Sequence, residues 1–331
     1  LRESGKCNDC QVYLKGEKPT GSPIPRGFVS VVSLSDPPKI PSSDSGRLQF
    51  AQWLTNGEHP LTARVMVNRV WHHLFGSGIV RTVDNFGING ERPSHPELLD
   101  YLATRFVNDQ QWSVKKAIRA IMLSRTYQLS AEHDSRAIEV DPENRLHWRH
   151  ERRRMDGESI RDSILAASAQ LDRKPPASSI VAKVGDRILR DNFTVDEFRV
   201  PTNHRSVYLP IIRNGIPEVL SVFDFADASL VVGRRNVTTV PAQELYLMNS
   251  LFVVEQAKSF AKSLLEAGGT DDSQRVDFAY RRALSRPATE GEISRVLEFV
   301  VDESSDEATR LKSWSTFCQA LYTCAEFRYV K

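Results

Sequence analysis

Residues 61–75 read LTARVMVNRVWHHLF. Val65, Val70, Trp71 and Leu74 gather at helical spacing, which predicts an amphipathic helix over 61–75. Pro60 breaks the pattern before it, and Gly76 and Gly78 end it, Gly76 being placed for a left-handed C-cap. Working outward, a further helix is expected from Arg47, with Leu48, Phe50, Ala51, Trp53 and Leu54 as its apolar positions. Downstream, Ser94-His95-Pro96-Glu97 reads as a capping box opening a helix whose buried face is Leu98, Leu99, Leu102, Phe106 and Val107. Trp112-Ser113 starts another, with Val114, Ile118, Ile121, Met122 and Tyr127 inward. Asp141-Pro142, an N-cap before Pro at the first helical position, predicts a short helix over Asn144–His150. Asp156 caps the next, with Ile160, Ile164, Leu165 and Leu171 inside.

The helical period fades between residues 173 and 240, where Pro175, Pro176, Pro201, Pro210 and Pro217 punctuate the chain and SVYLPII (206–212) reads as a strand. It returns over 241–264, 273–284, 290–302 after a Thr289–Glu292 capping box, and 306–326. The expected fold class is therefore mainly α, a multi-helix domain with a loop-rich or small β excursion around 173–240. A Pro-rich leading segment, 1–46, with a strand-like run from Phe28 to Leu34, precedes a single helical domain over 47–331. That domain divides into helical 47–172, irregular 173–240 and helical 241–331.

Composition narrows the function classes. Of 331 residues, 40% are hydrophobic and 26% charged, which excludes wholesale disorder. No apolar run reaches the roughly 18–20 residues of a membrane span, and a net charge of +2 argues against a dedicated nucleic-acid binder. The chain opens at Leu1, without Met or a leader pattern, and reads as a piece of something longer. The bases are 32 Arg against 12 Lys. Arg offers a bidentate fork for carboxylate, phosphate or sulfate, although a GC-rich genome produces the same bias.

Cys7-Asn-Asp-Cys10 has the CxxC spacing, but Gln11 stands where covalent haem attachment needs His, and no second CxxC completes a zinc site. A local disulfide and a pair of free thiols remain as readings; Cys318 and Cys324 read as small core hydrophobes. Arg64, Asn68 and His72 follow at i, i+4 and i+8, with Arg69 and His73 as a neighbouring stripe and no acidic residue on that helix. Such a face either binds an anion and moves protons, or ties down neighbouring loops. His72 and His73 diverge by about 100°, and His147 and His150 have no evident partner, so no metal is expected. Asp84-Asn85-Phe86-Gly87, with Gly90 and Pro93, is a glycine-punctuated loop without the preceding strand of a dinucleotide fingerprint. Arg152–Arg154 reads as a solvated basic face or a docking patch, and Asp224 with Asp227 as a candidate carboxylate pair. The site expected from these residues has His72 and His95 as proton-transfer groups and Arg64, Asn68, Arg69, Asn85 and Arg92 as binding groups.

The stretch GRLQFAQWLTNGEHPLTARVMVNRVWHHLFGSGIVRTVDNFGINGERPSHPELLDYLA resembles the opening of the planctomycete-type domain of unknown function 1553. The likeness continues through LSRTYQLS, DPENRLHWRHERRRMDGESIRDSIL, the RSVYLPII to LYLMNS stretch and FCQALYTCAEFRYV, over roughly residues 45–330. The resemblance implies the C-terminal part of a large secreted, hence extracytoplasmic, protein, with a haem c domain often upstream and no haem or other cofactor in this chain. An oxidising location would make a Cys7–Cys10 disulfide permissible. The partners so implied are the upstream domains of the same polypeptide. The expected function is binding or processing of an anionic or polyhydroxylated polymer, a polysaccharide, through the Arg/Asn/His-rich cleft. The alternative is a non-catalytic helical scaffold docking a haem c domain for electron transfer.

Overall fold

The computed structural model describes residues 7–13, 19–32, 34–178, 182, 201–211, 215–267, 271–300 and 306–330. Thirteen α-helices and two small two-stranded sheets lie among the described residues, so the chain is mainly α. It forms two compact units, Leu1–Glu151 and Arg152–Lys331.

In the first unit, β1 (Cys10–Tyr13) pairs antiparallel with β2 (Pro19–Ile24). The strand expected over Phe28–Leu34 does not form among its described residues; Val32 N–H instead closes a turn on Val29 O. Phe28 stacks at 5.3 Å on Trp53 of α1 (Arg47–Leu54), so its side chain serves packing and not a ladder. α2 (Thr62–Phe75) is the central helix and ends, as its glycine required, on Gly76 at φ 83°. Its buried Val67, Val70, Trp71 and Phe75 join Leu99, Ala103 and Phe106 of α3 (Pro96–Asn108) and Ala117 and Ile121 of α4 (Val114–Met122).

Three expectations about the helices of this unit also need correction. The Ser94 capping box is absent, and the helix starts one residue later with His95 as N-cap and no side-chain cap. Pro96 causes this: the residue before a proline is pushed out of the α region, and His95 sits at φ −136°, ψ 81°, so it cannot be the first helical residue. Val114 and Met122 face outward, leaving Ala117 and Ile121 as the buried positions of α4, although Ser113 caps it as expected. The helix expected over 144–150 is a looped segment following α5 (Ser135–Val140). Asp141 does accept from the Arg145 and Leu146 amides, but Asn144 and His147 lie at φ 51° and 54°, in the left-handed region that interrupts any helix.

In the second unit, β3 (Arg153–Arg154) pairs with β4 (Tyr329–Val330) and leads into α6 (Gly157–Ala167), capped by Asp156 accepting from Ser159 N–H at 2.8 Å. A short α7 (Glu218–Val222) precedes α8 (Pro241–Asn249), α9 (Leu251–Leu265), α10 (Asp272–Leu284), α11 (Glu290–Phe299), α12 (Glu307–Thr323) and α13 (Ala325–Arg328). The runs expected as single helices over 241–264 and 306–326 each break at one extended residue, Ser250 and Cys324. The Thr289–Glu292 capping box forms in full. Ile160, Leu220, Leu247, Val253, Phe260, Leu264, Trp314 and Tyr322 make the core.

The strand expected over 206–212 is instead a 3-10 turn, Ser206–Tyr208, and residue 212 lies outside the described residues. Asp162 captures both the amide and the hydroxyl of Ser206, at 2.8 and 2.7 Å, and buried Arg161 donates to Ser206 Oγ and to the carbonyls of Thr202 and His204. These bonds fold the segment onto α6, and a ladder partner would have to displace them.

Candidate functional site

The polar side chains of α2 serve the fold first. Asn68 is fully buried, and its amide reads Val80 in both directions, donating to the carbonyl at 2.9 Å and accepting from the N–H at 2.8 Å. A Cβ on Gly78 would fall 2.4 Å from Val80 O and 2.8 Å from Asn68 Nδ2, so this clamp requires glycine there. Arg64 donates to Asp100 at 2.6 Å and to Pro60 O, and Arg69 lies 3.5 Å from Asp84. His72 is half-buried with its ring 5.5 Å from that of His73.

Clamped at Val80, the chain from 79 to 95 forms a closed loop. Ser94 N–H donates to Ile79 O at 2.9 Å and joins its ends. Thr82 Oγ1 donates to Asn85 O and accepts from Glu91 N–H, while Asn85 Oδ1 accepts from Gly87 N–H at 3.0 Å. Asn85 is thus a turn-former, and Arg92 is exposed. At the foot of this loop His95 is half-buried, its Nδ1 2.9 Å from Ser94 Oγ.

The second loop, 141–150, brings His147 beside it, with the two rings 6.0 Å apart. Trp71 N–H donates to His147 Nε2 at 3.3 Å, which fixes the neutral ring with its proton on Nδ1. Burial, and then the neighbouring His95, hold the His147 imidazole well below its ordinary range, at about 4. Arg81 pairs with Glu143 at 2.8 Å and Arg145 with Glu91 at 3.3 Å, tying one loop to the other. Loops 79–95 and 141–150 together carry four guanidinium groups, Arg81, Arg92, Arg145 and Arg149, and four carboxylates, Asp84, Glu91, Asp141 and Glu143. That mixed charge suits a ligand rich in neutral donors and acceptors better than an anion.

His95 is the sequence-identified residue that meets an imidazole from a separate loop, whereas His72 meets only its neighbour His73, and Asn68 and Asn85 are engaged with the backbone of the fold. Helical spacing offered His147 only as a companion of His150, which is buried against Tyr127 and Phe75. The signal available was Asn144, a residue type tolerant of the left-handed conformation that reverses the chain here.

The perturbed imidazole gives a testable pH dependence. Above pH 6.5 His147 is neutral folded or unfolded. Below it the unfolded chain takes up a proton that the fold refuses, so stability falls as pH drops from 6.5 towards about 4. The interval corresponds to about 3 kcal/mol, reduced towards 2 by partial exposure of the ring. Urea unfolding at pH 7 and 4.5 should show His147→Asn losing less stability than wild type by about this amount. Parallel losses in the two proteins would contradict the assignment.

Several arginines of the second unit are occupied within the fold. Arg154 donates to Asp224 at 2.6 Å, and Thr238 N–H and Oγ1 donate to the same carboxylate. Asp227 accepts from Ser229 N–H. Asp224 is thus an internal anchor, which corrects its reading as half of a catalytic carboxylate pair. Arg235 forks onto Glu158 at 2.7 and 2.9 Å. Arg286 joins Glu292 and Glu326, holding Glu292 at about 2. No group of three or more His, Cys, Asp or Glu suited to a metal occurs among the described residues, and none of their helices is long and apolar enough to cross a membrane.

Comparison with protein-family models finds one described as "Protein of unknown function (DUF1553)" matching residues 46–300. No curated protein and no solved structure matches the chain.

Proposed function

The chain belongs to the DUF1553 family of proteins of unknown function, and we propose that its first unit binds a neutral, polyhydroxylated polymer at the face formed by loops 79–95 and 141–150. One observation carries this reading: two half-buried imidazoles 52 positions apart in sequence meet ring to ring, framed by paired charges of both signs. Sugar hydroxyls both donate and accept, and His147 Nδ1–H, Glu91, Glu143, Arg81 and Arg145 supply the complementary groups. The tautomer set by Trp71 makes His147 a donor at Nδ1 in its neutral form. His95, held through Nδ1 by Ser94, is the group of the pair suited to move a proton at Nε2. Of the expected ligand class the neutral, polyhydroxylated half is proposed, because Arg81 and Arg145 already hold Glu143 and Glu91. In the same proposal, following the family resemblance, the chain is part of an extracytoplasmic protein with its upstream domains as covalent partners.

A scaffold that docks another domain is the second reading. Its support is the outward row of Leu245, Met248 and Leu251, the last 77% exposed, beside a cleft of about 720 Å³ between α7 and α8. A thermal-shift panel of neutral and sulfated or uronic oligosaccharides separates the two. Neutral sugars should raise Tm, with the rise insensitive to salt and lost in His147→Asn. A flat panel, or a rise confined to anionic sugars and abolished by salt, would overturn the binding proposal.

A further inference from the structure

His59 lies two residues before the N-cap of α2, in the turn that follows α1, and it is 7% exposed. Leu61 itself offers no side-chain cap, and the role passes to the imidazole. His59 Nδ1 accepts from Leu61 N–H at 3.3 Å and Thr62 N–H at 3.2 Å, with Thr62 Oγ1 at 3.0 Å. Two backbone donors aimed at one nitrogen leave a single tautomer, with the proton on Nε2. The ring also stands edge-on to Trp53 of α1, 4.6 Å between centroids, and Trp53 in turn stacks on Phe28.

We propose that His59 is an acid-sensitive latch holding α1 and the segment around Phe28 against the start of α2. Protonation can occur only at Nδ1, the nitrogen that both amides address. The proton replaces the accepting lone pair, so the Leu61 and Thr62 amides face a donor and the cap is lost, while the Thr62 hydroxyl can turn to accept from the new N–H. No charged group compensates. Glu58 in the same turn accepts from Ser35 N–H, Arg64 on α2 holds Asp100 on α3, and Arg105 on α3 holds Asp109. Arg47 is exposed at the far end of α1. Burial lowers the proton affinity of the ring, which keeps the latch closed at neutral pH and sets its release below the ordinary histidine range.

The experiment is amide hydrogen exchange of the 331-residue chain at pH 7.5 and 5.0, each rate divided by its intrinsic rate at that pH. Protection of Leu61 and Thr62 should fall roughly five- to tenfold on acidification, the size of a lost N-cap. Protection within residues 66–75 should change far less. His59→Asn keeps an accepting oxygen that does not titrate, and its Leu61 and Thr62 protection should be independent of pH. His59→Ala should show the low protection already at pH 7.5. Unchanged wild-type protection at the two pH values would overturn the latch even if neither variant folds. So would His59→Ala retaining full protection.

Discussion

Replacing Asn68 with Ala should lower the unfolding free energy by about 2–6 kcal/mol. The substitution strands the Val80 N–H and carbonyl in a fully buried position, and each unsatisfied group costs about 1–3 kcal/mol. Arg64→Ala, one turn earlier on the same helix, removes a pair whose members are 36% and 57% exposed and should cost under about 1 kcal/mol. Urea unfolding of the two variants side by side is the check. Equal, small losses would mean that Asn68 is free for a ligand and that the clamp is not what shapes loop 79–95.

Arg154→Met should be comparably damaging, at about 3–5 kcal/mol. The Arg154 side chain is 2% exposed, Asp224 is 15% exposed, and removing one member of a buried pair leaves the other charge without its partner. Arg152, two residues earlier, is exposed, and Arg152→Met should change stability by less than about 0.5 kcal/mol. Thermal or urea unfolding of the second unit's variants would show the contrast. A mild Arg154→Met with a severe Arg152→Met would reverse the assignment of structural and solvated positions in this cluster.

These two residues mark how far the sequence could be read. Helical spacing found α2, α3 and the late helices because each buries a face of its own, and the caps at Gly76, Asp156 and Thr289 are local chemistry. Asn68 had two readings open, a ligand contact or a tie to a neighbouring loop, and Arg154 read as part of a solvated face or docking patch, because their partners, Val80 and Asp224, lie 12 and 70 positions away. A long-range partner leaves no periodic trace. The errors at Ser94 and Asn144 have the opposite origin. There the motif was present, but Pro96 and two left-handed residues changed the backbone beneath it. Of the candidate site, His95 was legible through the concentration of Arg, Asn and His between residues 64 and 95. Its pairing with His147 depends on how two separate loops close, which spacing does not encode.

The central claim, that the His95–His147 pair is a ligand-binding face for neutral polyhydroxylated polymers, is tested most directly by histidine-ring NMR. The 15N and 13C resonances of all eight imidazoles would be followed at pH 7.5 while a neutral oligosaccharide is titrated in. The expected result is saturable movement of the His95 and His147 signals, with His59 and exposed His133 unmoved. Saturable binding that leaves both His95 and His147 unmoved, or no movement at any imidazole across the neutral sugars, would contradict it.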